Sequence, residues 1–355
     1  MKRVLTMATC ASALAFTSFA NAAAGDWTMN SKALQAYGQM RVSIDSISDD
    51  TNKKDGTTIS SNASRIGLKG EFDSTIPNTM AIYKAELRYE TTDAVSGGGG
   101  TSKQIEFRDA YAGLKGKSWG RVRVGRLSTG YKTTLTTIDP WNDNIPQSRS
   151  GGRQGSSELH SSYFNSAIDY KSPVFANTFL EAFYVTKPTG SKQPIHNTGT
   201  LKNYEGGTAS GAGLKYKTKA LFLAADYINI DAETINPAKA SLSNGDGWQI
   251  AGRFKTGAFS VAALYEDVND LGLGKNTYIN GIYKIGNTRL ILGYGTNTDN
   301  LVYGKDDYTN YSIGAKYNLG KKSELFAAYN NRTNDTTDNK DIASITVGMN
   351  IKFGY

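Results

Sequence analysis

Leu34-Gln35-Ala36-Tyr37-Gly38-Gln39-Met40-Arg41-Val42-Ser43-Ile44-Asp45 is the stretch whose reading decides the fold. Side chains of a strand alternate between two faces. Here Leu34, Ala36, Gly38, Met40, Val42 and Ile44 share one face, and Gln35, Tyr37, Gln39, Arg41, Ser43 and Asp45 share the other. A soluble sheet with one wet face produces the same pattern, so length and repetition have to discriminate. A tilted strand crossing a bilayer needs about ten residues, whereas ordinary strands average about five or six.

The alternation recurs along the chain. Ile66, Leu68, Gly70 and Phe72 oppose Arg65, Gly67, Lys69 and Glu71, and Ala81, Tyr83, Ala85, Leu87 and Tyr89 oppose Ile82, Lys84, Glu86, Arg88 and Glu90. Trp248, Ile250, Gly252 and Phe254 oppose Gln249, Ala251, Arg253 and Lys255, and Tyr311 to Leu319 repeats the pattern. The chain closes with Ile345, Val347, Met349, Ile351, Phe353 and Tyr355 against Ser344, Thr346, Gly348, Asn350 and Lys352. Two segments break the rule: Asp109 shares a face with Phe107 and Tyr111, and Glu181 sits among phenylalanines. Connections alternate between short polar links, such as Ser172–Asn177 and Gly286–Asn287, and long Gly/Asn/Asp/Thr-rich ones, such as Thr91–Lys103 and Thr186–Thr208. Short turns against long outer loops characterise outer-membrane barrels, and the alternating runs number about 16, an even count. The expectation is an all-β, transmembrane antiparallel β-barrel, wide enough for an aqueous lumen. Tyr83, Tyr89, Tyr216, Tyr227, Tyr265, Tyr283, Tyr294, Tyr317 and Tyr329 fall near the ends of apolar faces, as an interfacial aromatic girdle requires.

The N-terminus reads as an export signal: Lys2 and Arg3, an uncharged run from Val4 to Ala20, then small-x-small cleavage sites near residues 22–24. Residues 1–24 are thus expected to be removed, leaving 25–355 as one barrel domain. Cys10, the one cysteine of the chain, lies in that signal, so no disulfide framework or thiol metal site is expected. No further segment offers the eighteen or so apolar residues of a membrane helix, and a closed barrel is the remaining way to span lipid. The formal charge is +8, but the basic residues are scattered at alternate positions without an aromatic patch, which argues against nucleic-acid binding. Gly97–Gly100 lacks the Lys-Ser/Thr of a phosphate cradle. No cofactor is implied.

Several segments resemble the general Gram-negative porin family: Ser64-Arg65-Ile66-Gly67-Leu68-Lys69-Gly70, Phe107-Arg108-Asp109-Ala110-Tyr111-Ala112-Gly113-Leu114-Lys115-Gly116, Trp119-Gly120-Arg121-Val122-Arg123-Val124-Gly125-Arg126 and Asn165-Ser166-Ala167-Ile168-Asp169-Tyr170-Lys171-Ser172-Pro173. Their order covers essentially the whole mature chain. The resemblance implies a trimeric barrel of about 16 strands in outer-membrane lipid and lipopolysaccharide, with a terminal aromatic residue, here Tyr355 rather than the usual Phe, read by the barrel assembly machinery. It also implies that the third outer loop, roughly Leu127–Tyr163, folds inward and narrows the pore. A loop this long without secondary structure of its own needs a function, and a constriction supplies one. By motif, Arg65, Lys69 and Arg108 are expected on the wall, with Arg88 lining the pore. The family's basic residue after the first Tyr-Gly is Gln39 here, with Arg41 two residues on, and a further family Arg is Ser162. Arg149 and Arg153 on the loop compensate, and Asp139, Asp143 and Glu158 are the loop's acidic candidates.

Opposed charges across a narrow aqueous gap orient dipolar solutes, and the summed sign of the lining charge sets ion preference. The expected function is passive diffusion of ions and small hydrophilic solutes with a weak anion preference. The rivals are an outer-membrane barrel hydrolase and a secreted β-rich adhesin. A hydrolase needs a histidine base, and His160 and His196, the two histidines, are both expected in loops as ordinary surface or loop residues.

Overall fold

A computed structural model of the chain describes residues 32–49, 55–91, 94–95, 105–149, 154–186, 204–235, 242–301, 306–334 and 341–354. The export signal, Arg153, His196 and Tyr355 lie outside these residues. The wall is formed by β1 (Gln35–Asp49), β2 in two segments (Gly56–Ser61 and Arg65–Asp73), β3 (Thr79–Tyr89), β4 (Ile105–Gly116), β5 (Gly120–Leu127), β6 (Phe164–Lys171), β7 (Thr178–Val185) and β8 (Thr208–Lys217). It continues through β9 (Leu221–Asp231), β10 (Gly245–Thr256), β11 (Phe259–Asp267), β12 (Lys275–Ile285), β13 (Thr288–Asn300), β14 (Asp306–Asn318), β15 (Ser323–Asn334) and β16 (Ile342–Gly354). Each strand pairs antiparallel with the next, and β16 returns to β1 in an unbroken register from Tyr37↔Gly354 to Asp49↔Ile342. The result is a closed 16-strand barrel. Closure matters because a sheet edge in lipid would leave its backbone groups unpaired.

The outer face is apolar where water would forbid it. Met40, Ile66, Leu68, Ile250, Phe254, Leu292, Ile313 and Val347 are all exposed, Leu292 by 60%. A continuous apolar belt of this kind is what lipid stabilises. Aromatic residues border it in two rows. Toward the long loops, Tyr227 pairs with Trp248 and Tyr294 with Tyr311; toward the short turns, Phe259 pairs with Tyr283, ring centroids 4.5 Å apart. The girdle expected from the tyrosine positions is therefore on the outer wall.

Three register shifts interrupt the wall between β1 and β6, and each inserts one extra residue. Val42 pairs with Ser61 but Gln39 with Arg65; Ala85 pairs with Ala110 but Leu87 with Phe107; Gly125 pairs with Ala167 but Leu127 with Phe164. A bulge leaves two residues opposite one and reverses the parity beyond it. Ala63 and Ser166 take the required left-handed backbone, with φ of 57° and 51°. The second bulge explains the poor alternation of β4: Arg108 and Asp109 both turn inward, while Phe107 stays 59% exposed on the lipid side.

The third loop contains secondary structure that its sequence hides, which corrects the expectation of an irregular loop. Gly130–Ile138 is an α-helix (α1), and Glu158–Ser161 is a 3-10 turn. Four threonines mask the helix, since β-branched residues are indifferent helix formers. Tyr131, Leu135 and Ile138 nonetheless lie at helical spacing and are buried. Leu135 and Ile138 pack inside the barrel on Phe222, Ala224, Ala251, Ala262, Leu264 and Tyr278. A second apolar cluster joins Leu127, Tyr131, Leu159, Phe164, Phe183, Ile228 and Leu271 near the loop end. The polar-inward rule thus fails on the wall from β6 to β12, because the inward side there is covered by the loop instead of water.

Candidate constriction

Beyond α1 the third loop crosses the barrel. Trp141, fully buried, wedges against Ile291, Phe326 and Ala328 on β13 and β15. Two residues later Asp143 turns the chain with a left-handed φ of 66° and reaches β1 and β2. Its Oδ2 accepts from Arg41 Nη1 at 2.9 Å and also pairs with Arg65, while its Oδ1 accepts from Arg149 Nη2 at 2.6 Å. Arg41 is held further by Asn350 Oδ1 at 3.1 Å and the Asn142 carbonyl at 2.8 Å. Arg149 donates to the His160 carbonyl at 3.0 Å, tying the outgoing limb of the loop to the returning one. Burial alone would raise the Asp143 carboxyl, but Arg65, Arg149, Arg41 and Arg108 hold it well below the usual carboxylate range.

Beside this elbow lies a second knot on the wall. Glu86 accepts from Arg108 Nε and Tyr37 OH, both at 2.7 Å, and Lys84 bridges Glu86 at 3.3 Å and Asp109 at 2.8 Å. Asp109 in turn accepts from Ser128 N at 2.8 Å, anchoring the loop where it leaves β5. Lys132, on α1, places its ammonium 3.4 Å from the centre of the Tyr163 ring, which Arg108 and Arg126 also face at 5.1 and 5.3 Å. Burial, followed by the charges of Arg149 and Arg108, pushes Lys132 well below the usual lysine range. Arg41, Arg65, Lys84, Arg108 and Arg149 therefore face three carboxylates, Glu86, Asp109 and Asp143, with Lys132 beside them over Tyr163.

Of the residues expected at the narrow zone, the structure brings Arg41, Arg65, Arg108, Asp143 and Arg149 together. Arg88 lies toward the loops, paired with Glu90 at 2.7 Å. Lys69 lies toward the turns, over the Tyr37 ring at 5.4 Å. Asp139 is buried in the loop's own framework, accepting from Trp141 N at 2.9 Å, Ser148 N at 3.0 Å and Tyr278 OH at 3.3 Å; burial raises its carboxyl above the ordinary value. Glu158 opens the 3-10 turn. Glu86 and Lys84 were visible on the polar face of the sequence but lacked a motif to single them out, and Asp109 was visible as a break in the alternation. Lys132 could be found only once α1 was known. His160 is a loop residue, as expected, but is wholly buried: its Nε2 lies 3.1 Å from Glu266 Oε1, and its ring stacks on Tyr131. It is buried rather than at the surface because the loop turns inward.

A family model described as Gram-negative porin matches residues 8–337. The chain belongs to the Gram-negative porins. This porin is 24% identical over 307 residues to the major outer membrane protein P.IB of Neisseria sicca, covering 78% of this chain and 80% of that one. It is 23% identical over 333 residues to an outer membrane porin protein of Bordetella pertussis, covering 83% of each. Among solved structures, an anion-selective porin from Comamonas acidovorans superposes with a TM-score of 0.70 at 16% identity, covering 90% of this chain and 99% of that one. The trimer form of OmpT from Vibrio cholerae gives 0.62 at 14% identity over 90% and 99%. The porin's place is the outer membrane.

Proposed function

We propose that this porin is a water-filled channel for passive diffusion of ions and small hydrophilic solutes, weakly preferring anions. The observation that carries the reading is the imbalance at the loop elbow, where five cations, Arg41, Arg65, Lys84, Arg108 and Arg149, face three carboxylates. Uncompensated positive charge in a narrow passage raises local anion concentration and lowers that of cations. Arg41, Arg65, Arg108 and Arg149 are the residues assigned this role, with Asp143 fixing their geometry. Export through a signal spanning residues 1–24, assembly guided by Tyr355 and a homotrimer in lipid and lipopolysaccharide belong to the same reading, supported by the family and, for the trimer, by the trimer form of the solved OmpT relative.

The hydrolase reading is weaker on geometry. Ser157 Oγ donates to Glu266 Oε1 at 2.7 Å, the same oxygen that His160 faces, so among the described residues no hydrogen bond from Ser157 to His160 activates a nucleophile. The cluster reads as an anchor for the returning limb of the loop. Reversal potentials in a KCl gradient across a planar bilayer test the channel reading: a potential of the sign set by chloride supports it, and one set by potassium, or no conductance at all, overturns it.

A further inference from the structure

The turn end of the barrel carries a feature that the constriction does not use. Lys284 on β12 lies directly opposite Arg289 on β13, and Arg289 directly opposite Lys316 on β14. All three point into the lumen, on the parity of Asn280, Ile291 and Ser312. Residues directly opposite in an antiparallel pair bring their Cβ atoms to about 5 Å, and like charges there repel. The row continues around the wall. Lys255 on β10 faces the charges of Arg253, Lys217 and Arg289. Every carboxylate between Asp226 and Glu324 lies at the loop end of a strand or in the loops, so Glu324 serves the arc alone. It accepts from Arg289 Nη2 at 2.5 Å, Lys316 Nζ at 3.4 Å and Asn350 Nδ2 at 2.8 Å. Among the described residues, Lys217, Lys255 and Lys284 have no carboxylate within ion-pair distance, and Arg289 Nε is buried without an acceptor.

We infer that Lys255, Lys284 and Arg289 form a lumenal site at the turn-side exit for small polyvalent oxyanions, a class that includes condensed phosphates and polycarboxylates, with Lys316, buried behind them against Trp141, Phe326 and Glu324, adding charge without contact. An assembled row of cations that repel one another is stabilised by a ligand carrying several negative charges, and less by a monovalent ion that bridges fewer of them. Charge-assisted hydrogen bonds from Arg289 Nε and the lysine ammoniums would give the ligand its contacts. The row adjoins the constriction through Trp141, whose ring Lys316 faces at 5.0 Å, and through Asn350, which bonds both Glu324 and Arg41, but the site goes beyond the ion preference proposed above. Either reading survives failure of the other, because binding in detergent is measured without any ion gradient.

The test is calorimetric titration of the detergent-solubilised porin with inorganic pyrophosphate at low ionic strength. Saturable binding of one pyrophosphate per chain is expected. The K255Q/K284Q double variant should bind about tenfold more weakly, and K284Q alone by an intermediate factor. Both variants remove like-charge repulsion, and their folding is checked by heat-dependent gel mobility. R149Q, at the constriction, is expected to lose less than about twofold. Absence of saturable heat in the wild type overturns the site. So does undiminished binding by the folded double variant, or an equal loss in R149Q.

Discussion

Replacing Asp143 with Asn removes the one carboxylate shared by Arg41, Arg65 and Arg149 while keeping a side chain of the same shape. An ion that touches the arginines passes about 5 Å from that carboxylate, where a unit charge in water is worth about 0.8 kcal/mol. Screening over a Debye length of about 10 Å at 0.1 M salt reduces this to about 0.5 kcal/mol. By Boltzmann weighting, chloride is then favoured about twofold and potassium disfavoured about twofold, so the chloride-to-potassium permeability ratio should rise about fivefold. Reversal potentials of wild type and D143N in the same KCl gradient measure it. The lost pair also loosens the elbow; breaking a fully buried ion pair costs about 3–5 kcal/mol, less here because the lumen is wet, and single-channel current noise should increase. An unchanged ratio, or a shift toward potassium, would refute the claim that conducted ions pass within reach of Asp143.

Lys132 offers a pH test. Its depressed value means that the folded protein holds a disfavoured charge at low pH and releases that proton before the unfolded chain does. Folding stability should therefore rise with pH through the window below the ordinary lysine value of about 10.4. Anion preference should fall over the same window as the charge is lost, and K132M should flatten that fall in reversal-potential measurements. Leu135, 1% exposed between α1 and the wall, is expected to cost about 2–5 kcal/mol of loop docking when cut to Ala, seen as faster proteolysis of the third loop in a barrel that still shows heat-dependent mobility. Ile313, 54% exposed on the outer face, should destabilise the barrel by about 2–4 kcal/mol when replaced by Arg, read from urea unfolding in lipid vesicles; unchanged stability would mean that this face does not meet hydrocarbon.

What was legible in the sequence follows from which signals are local. The period-two runs gave the strand directions and the lipid face, because alternation needs no partner: Arg41, Ser43 and Asp45 are buried as their parity required, and Met40 and Ile44 are exposed. The helix α1 was not legible, since its threonines carry no helical signal and its apolar stripe is stabilised by Phe222, Leu264 and Tyr278, distant in sequence. Phe183 and Phe222 broke the polar-inward rule for the same reason: their neighbours are loop side chains and other inward aromatics, which alternation cannot reveal. The constriction was half legible. Motifs pointed to Arg65 and Arg108, but choosing Asp143 over Asp139 depended on one left-handed residue at the loop elbow.

The bulges tie these observations together. A regular strand places at most every second residue in the lumen, which limits how many charges one strand can offer at one height. At Arg108 and Asp109 the bulge turns adjacent residues inward, so one strand supplies both a cation for Glu86 and a carboxylate for Lys84. At 62–64 the extra residue lets Ser64 Oγ accept from Arg41 N at 3.0 Å and Asn62 N donate to the Arg41 carbonyl at 2.9 Å, fixing the backbone of the arginine that meets Asp143. At Asn165–Ser166 the loop rejoins the wall, and Asn165 Oδ1 accepts from Arg126 beside Tyr163. All three lie on the side of the barrel that faces the loop elbow. The irregularities that spoil the sequence pattern are therefore what give this half of the wall the charge density a narrow polar passage needs.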